Sequence, residues 1–192
     1  MYIAIEGIDT AGKSTQIEAL SKHFSDALIT KEPGGTDLGV LVREIVLDAK
    51  AKSKKAEFLL FLADRAEHIA EVIKPNIEHK MIISDRSAIS GVAYALVQNS
   101  ISKEELKSFN DFATDTIYPH KVFLLQLTKK ELEYRLSRKE LDGIELRGSE
   151  YLLNIQNSII EAAKILQIDL VTIDATLDRE KITQKIIENI ER

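Results

Sequence analysis

Gly7-Ile8-Asp9-Thr10-Ala11-Gly12-Lys13-Ser14 follows the pattern G-x-x-x-x-G-K-[ST]. The residue types suit one task. Glycines let successive backbone N–H groups turn inward around a phosphate without a Cβ clash. Lys13 carries a point charge on a long stem, able to reach β- and γ-phosphates, and the Ser14 hydroxyl can ligate Mg²⁺. A β-type run precedes the motif and a helical pattern follows it, which is the context the motif requires. The helix start adds a positive dipole end. Gly7, Ile8, Asp9, Thr10, Ala11, Gly12, Lys13, Ser14 and Thr15 are therefore the expected triphosphate-binding set.

A second anion site is expected where Ile82-Ile83-Ser84-Asp85-Arg86 ends an apolar run with an acid and a base. Asp85 would hold a Mg²⁺-bound water near Ser14. Arg86 presents a planar fork suited to phosphate. Phe61 and Arg65 are four apart in a helical stretch and share a face. A ring and a guanidinium so placed can stack on a nucleobase and bond its edge. On pattern alone, the better reading is Phe61 as core beside Phe58, Leu62 and Ile69, with Arg65 solvated. Ser90 and Tyr94 repeat the one-turn spacing after Arg86, and Tyr94 also fits a half-buried core position.

The elements that must hold these groups alternate. Tyr2–Glu6, Ala27–Lys31, Met81–Asp85, Val122–Leu127 and Leu170–Ile173 read as strands. Most lack polar alternation, as strands buried on both faces do. Helical patterns cover Ser14–Ser25, Leu38–Asp48, Glu57–His79 with a kink at Pro75, Ala88–Gln98, Lys103–Asp115, Lys129–Arg138, Tyr151–Leu166 and Arg179–Ile190. Ser102-x-x-Glu105 and Thr128-x-x-Glu131 are candidate capping boxes. The alternation predicts a three-layer α/β fold with a parallel sheet and right-handed crossovers. Gly7, Gly12, Gly34, Gly35 and Gly39 cluster in loops after the first two strands, which line the ligand crevice of an open sheet.

Composition narrows the classes. The chain has 192 residues, 44% of them hydrophobic, which suits a single domain spanning 1–192. It has no cysteine, which excludes a zinc finger, an iron–sulfur cluster and a cysteine nucleophile, and fits a reducing, cytoplasmic location. His23, His68, His79 and His120 show no metal-ligand spacing. The net charge of −5 argues against a nucleic-acid partner. The N-terminus lacks the basic start of a signal peptide. The longest uncharged run, Ser87–Ser102, is too short and too polar for a membrane span, which needs about 20 apolar residues. A guanine-specific N-K-x-D motif is missing; Thr128-Lys129-Lys130-Glu131 reads better as a helix cap.

Longer segments carry a resemblance to the thymidylate kinase family of nucleoside-monophosphate kinases. Ile5-Glu6-Gly7-Ile8-Asp9-Thr10-Ala11-Gly12-Lys13-Ser14-Thr15 resembles its phosphate loop. Thr30-Lys31-Glu32-Pro33-Gly34-Gly35-Thr36 resembles its T-R-E-P-G-G-T loop. Leu60-Phe61-Leu62-Ala63-Asp64-Arg65-Ala66-Glu67-His68 resembles its thymine-contacting helix. Asp85-Arg86, Ser90 and Ala93-Tyr94 fall on its D-R-Y-x-x-S-x-x-A-Y segment. Leu141-Asp142-Gly143-Ile144-Glu145 falls on its lid, and Ile173-Asp174-Ala175 on its last strand. The resemblance implies a P-loop kinase fold with five parallel strands, a short lid at about 138–149 and a homodimer. It implies ATP and dTMP as substrates, Mg²⁺ as cofactor, and in-line transfer giving ADP and dTDP for dTTP synthesis. It places Phe61 on thymine, Arg65 on the base O4, Arg86 on the acceptor phosphate, Asp9 near the sugar and the Mg²⁺ network, and Tyr94 against the 2′ position.

The sequence departs from the family pattern at Lys31, where Arg is usual, and at Ser87 and Ala95, which replace an aromatic and a Gln and would loosen the acceptor pocket. It departs most at Gly143, where the lid often carries Arg; Thr10 holds the position at which other members put a phosphate-loop Arg. The catalytic set expected is Lys13, Arg86 and Asp9, with Arg147 and Arg138, beside Lys139, as candidates for the missing cation. The alternatives are a kinase for another monophosphate or a deoxynucleoside, or a nucleotide-binding module without catalysis.

Overall fold

The computed structural model describes residues 1–47, 50–99, 101–140 and 145–191. Five strands form one sheet: β1 (Tyr2–Glu6), β2 (Leu28–Lys31), β3 (Ile82–Asp85), β4 (Lys121–Gln126) and β5 (Leu170–Asp174). All neighbours pair in parallel, in the order β2-β3-β1-β4-β5. Every residue of the central β1 is buried, whereas edge strand β2 alternates with solvent. That contrast explains why β1 reads as a continuous apolar run.

Side chains alternate between the two faces, and each face has its own helices. Ile3, Ile5 and Phe123 pack with Ile17 and Leu20 of α1 (Lys13–His23) and with Ile182 and Ile186 of α9 (Arg179–Ile190). Ala4, Val122 and Leu124 face the other way. They meet Phe58 and Leu62 of α3 (Lys54–His68), Ile89 and Val92 of α5 (Ala88–Gln98), Leu106 of α6 (Lys103–Thr114) and Ile159 of α8 (Ser149–Leu166). The remaining helices are α2 (Asp37–Leu47), α4 (Lys74–Asn76) and α7 (Lys129–Leu136). The expected end of the second helix at Asp48 lies outside the described residues.

The long helix expected over 57–79 begins earlier and loses its regularity before Pro75. α3 ends at His68, a π-helical turn follows over Ile69–Ile73, and α4 carries Pro75. Proline has no N–H for the regular ladder, and the chain adjusts in the turn ahead of it. Ser102 and Glu105 form a reciprocal capping box at α6. At α7 only half a box forms: Thr128 accepts from Glu131 N, while the Glu131 carboxylate turns to Arg135 at 2.7 Å. Among the described residues no helix is long and apolar enough to cross a membrane.

Candidate active site

The phosphate loop leaves β1 at Glu6 and enters α1 at Lys13. A Cβ on Gly7 would crowd the Leu125 carbonyl at 3.0 Å, and its φ of 151° is one that other residues rarely adopt, so glycine is favoured against β4 there. Gly12 caps α1 at φ 99° with no side-chain acceptor, which leaves the first helical N–H groups for an anion. Thr10 sits at φ 68°, a costly conformation for a β-branched residue, and such strain clusters at functional sites. Lys13 Nζ donates to the Gly7 and Ile8 carbonyls at 3.0 and 3.2 Å and lies 3.8 Å from Asp9. Burial, helped by Arg86, lowers its pKa to about 8. Ser14 is exposed and Thr15 half-buried on the first turn of α1.

The loop is also held from behind by a residue that sequence reasoning missed. Arg135 of α7 donates from Nη1 to the Thr10 carbonyl at 3.0 Å and the Ala11 carbonyl at 3.4 Å. Its Nη2 reaches the Ala175 carbonyl, just past β5, at 2.8 Å. No local pattern marks Arg135, because its partners come from both ends of the chain.

Arg86 follows β3, and β3 is the neighbour of β1. Its backbone N–H donates to the Ile5 carbonyl at 3.0 Å, and its φ is 70°. Its guanidinium donates to Asp9 Oδ1 at 2.8 Å, to the Gly7 carbonyl at 3.1 Å and to Ser90 Oγ at 3.0 Å. The second anion site is therefore bonded directly to the phosphate loop. Burial pushes the Asp9 pKa up, but Arg86 and Lys13 outweigh it and hold the carboxyl below its usual value. Burial opposes the charge on Arg86, yet Tyr94, Asp9 and Glu6 raise its pKa.

Glu6, another residue without an assigned role in the sequence, underlies this arrangement. It is fully buried; Oε1 accepts from Ser87 N at 2.8 Å and Ser87 Oγ at 2.9 Å, and Oε2 accepts from Ser90 Oγ at 2.6 Å. Ser90 thus gives its proton to Glu6 and offers a lone pair to Arg86. Ser87 N-caps α5 by accepting from Ile89 N, so the serine that departs from the family aromatic has a structural function here. Ala95, the other departure, is buried in the core, while Gln98 reaches the cavity. Asp85 Oδ1 is buried and has no hydrogen-bond partner among the described residues.

A cavity of about 570 Å³ opens beside Asp9 and Arg86 and brings Phe61, Arg65, Ser90, Tyr94 and Arg147 to one wall or another. Phe61 is half-buried and lines it, while Phe58, Leu62 and Ile69 take the core positions. Arg65 is not solvated: it is 2% exposed, with Nε on Glu32 Oε2 at 3.0 Å and Nη1 on Asn110 Oδ1 at 2.8 Å. Burial pushes Glu32 up, but Arg65 and His68 outweigh it and hold it below its usual value. Tyr94 is half-buried, and burial raises its pKa to about 12.

The two candidate lid arginines are placed differently. Arg147 ends a 3₁₀ turn (Glu145–Arg147), lines the cavity, and lies over Tyr151 with Nη1 donating to its hydroxyl at 2.9 Å. Arg138 is exposed, lies over the Tyr134 ring and bonds its hydroxyl, and is not on the cavity wall. Lys139 pairs with the buried Glu145 at 2.8 Å. Gly143 lies outside the described residues.

A phosphate loop between the central strand and its helix, with an arginine site at the end of the adjacent strand, defines a P-loop nucleotide-binding protein of the phosphotransferase kind. The sequence profile of thymidylate kinases matches residues 5–186. A thymidylate kinase of Sulfurimonas denitrificans is 69% identical over 190 residues, covering 99% of both chains. One of Wolinella succinogenes is 54% identical over 187 residues, covering 97% of this chain and 96% of its own. The crystal structure of thymidylate kinase from Ehrlichia chaffeensis superposes with a TM-score of 0.76 at 27% identity, covering 100% of this chain and 98% of that one. The chain belongs to the thymidylate kinase family.

Proposed function

We propose that the chain transfers the γ-phosphoryl group of ATP to dTMP, giving ADP and dTDP, the step that feeds dTTP synthesis. The observation that carries this reading is the Arg86–Asp9 pair at 2.8 Å, which joins the acceptor site to the donor loop. An oxygen of the dTMP phosphate bonds the γ-phosphorus as the bond from that phosphorus to the ADP oxygen breaks. The attacking phosphate is already anionic, so no general base is needed, and catalysis rests on alignment and charge. Lys13 neutralises the donor phosphates. Arg86 holds the acceptor phosphate against the loop. Asp9 keeps Arg86 oriented and lies near the sugar. Phe61 stacks on thymine, Arg65 donates to O4, and Tyr94 crowds the 2′ position.

Mg²⁺ with ATP suits the residues present. The Ser14 hydroxyl would hold it, with Asp85 Oδ1, which has no hydrogen-bond partner among the described residues, holding one of its waters. When bound, the ion neutralises charge between the β- and γ-phosphates. Residues 138–149 act as the lid of a single 1–192 domain, Arg147 meeting the transferring group and Arg138 in reserve. Homodimerisation is supported by exposed apolar residues on two helices that pack together, Phe109 and Phe112 of α6, 42% and 85% exposed, and Leu59 of α3, 58% exposed. The site lies in a cytoplasmic enzyme that acts on small nucleotides and not on nucleic acid.

ADP release with ATP–Mg²⁺ and a panel of dTMP, dUMP, UMP, dCMP and thymidine tests the reading. Turnover is expected to be fastest with dTMP. Tight dTMP binding without turnover would select a binding module, and a different preferred acceptor would move the specificity.

A further inference from the structure

The wall behind Arg65 is a chain of buried polar groups that no step of the phosphoryl transfer uses. Glu32, 5% exposed, spends its two oxygens on two different residues: Oε2 on Arg65 Nε and Oε1 on His68 Nδ1, each at 3.0 Å. His68 is fully buried one turn beyond Arg65 on α3, and its Nε2 meets Thr30 Oγ1 at 2.7 Å. Both ring nitrogens are thus committed. The ring edge also packs close against Gly35, where an added Cβ would stand 2.7 Å from His68 Cδ2. On the far side, Asn110 is fully buried and donates from Nδ2 to the Leu106 carbonyl at 2.7 Å, which forces its Oδ1 toward Arg65. Glycine at 91 leaves room for Arg65 Nη2, 3.0 Å from where a Cβ would be.

A carboxylate held only by Arg65 could swing about its own Cγ–Cδ bond and take the guanidinium with it. A second bond to an immobile ring removes that freedom. Nη2, beside Gly91 of the cavity wall, is then the guanidinium nitrogen that among the described residues is engaged by neither Glu32 nor Asn110.

We infer that His68 is a positioning residue for base recognition: through Glu32 it holds the Arg65 guanidinium in the orientation that meets the pyrimidine. The inference rests on the reading of Arg65 as the base contact. His68 touches neither substrate, so its loss acts on dTMP binding and spares the transfer step.

The test compares His68→Phe, which keeps a ring and loses both nitrogens, with His68→Asn, which keeps a donor near Nδ1. His68→Phe is expected to raise the dTMP KM about tenfold, the scale of one hydrogen bond to a charged group. The ATP KM and kcat at saturating dTMP stay near wild type. His68→Asn recovers most of the loss. In an Arg65→Ala background His68→Phe adds nothing further, because the group it positions is gone. Thr30→Val, which removes only the outer bond of the chain, raises the dTMP KM by a smaller factor and gives the same pattern should His68→Phe fail to fold. An unchanged dTMP KM in folded His68→Phe or in Thr30→Val overturns the inference, as does equal damage to both substrates. A raised dTMP KM in Arg65→Ala with none in the His68 and Thr30 variants overturns the inference alone. An unchanged dTMP KM in Arg65→Ala overturns the base-contact reading and the inference with it.

Discussion

Arg135 Nη1 donates to the Thr10 carbonyl at 3.0 Å, joining residues 125 apart in sequence. With its bonds to Ala11 and Ala175, one side chain ties the phosphate loop to the end of the sheet. Arg135→Leu leaves three carbonyls without that donor and frees a strained loop. It is expected to raise the ATP KM about tenfold while changing the dTMP KM far less, the scale of one lost charged hydrogen bond. Steady-state kinetics with each substrate varied in turn checks this.

Lys13 gives a pH dependence. Its pKa of about 8 in the folded chain lies below the ordinary 10.5. Between those values the unfolded chain binds the extra proton, so this group's contribution to stability rises with pH across that window. Bound ATP favours the charged amine and reverses the shift. ATP binding is therefore expected to take up a proton above pH 8 and to weaken as pH rises. Calorimetry at pH about 9 in two buffers of different ionisation enthalpy measures the uptake. Lys13→Ala should abolish both the uptake and the transfer with the fold intact.

Arg147→Ala is expected to lower kcat by about 10²-fold or more with little change in either KM, as befits an interaction made only in the transition state. Arg138→Ala should act more weakly, since Arg138 is off the cavity wall. Single-turnover rates within a few-fold of wild type in both variants would leave the charge to Lys13, Arg86 and the metal.

Tyr94 lines the cavity near Arg86. Tyr94→Ala should relax the preference for dTMP over its ribo counterpart, read as the ratio of kcat/KM for the two. An unchanged ratio would return Tyr94 to a packing role.

Gly39→Ala tests the support of the base pocket. A Cβ there would lie 2.3 Å from Asp64 Oδ1, which accepts from Gly34 N at 3.1 Å. The overpacking should cost about 1–3 kcal/mol of stability, visible as a lower Tm. Asp64→Ala should relieve part of it.

What was legible in the sequence was local. β1 covers Tyr2–Glu6 and α5 covers Ala88–Gln98, as their apolar runs foretell, because each is set by burial pattern and end signals within a few residues. The phosphate loop was legible because its glycines, lysine and serine all fall within Gly7–Ser14 at fixed spacing. Glu6, Glu32, His68, Asn110 and Arg135 were not, since each matters through a partner brought near by the sheet order. The one hint was position: Glu6 and Glu32 are acids at the ends of parallel strands, where an open α/β sheet forms its crevice. Arg65 looked solvated because a helical face shows which residues are neighbours along the helix, not what packs over them.

The pairing of β1 with β3 has a consequence for altering the enzyme. The donor loop leaves one strand and Arg86 leaves its neighbour, with Arg86 N bonded to the Ile5 carbonyl at 3.0 Å. Adjacent strands lie about 4.8 Å apart by backbone geometry alone. The spacing between the two proposed phosphate sites is thus written in main-chain bonds that no side-chain replacement touches, whereas the proposed contacts to base and sugar are side chains of α3 and α5. Retargeting the pocket to another pyrimidine is a matter of rewriting helix faces on a fixed transfer frame, with Ser90 of α5 kept as the acceptor for Arg86.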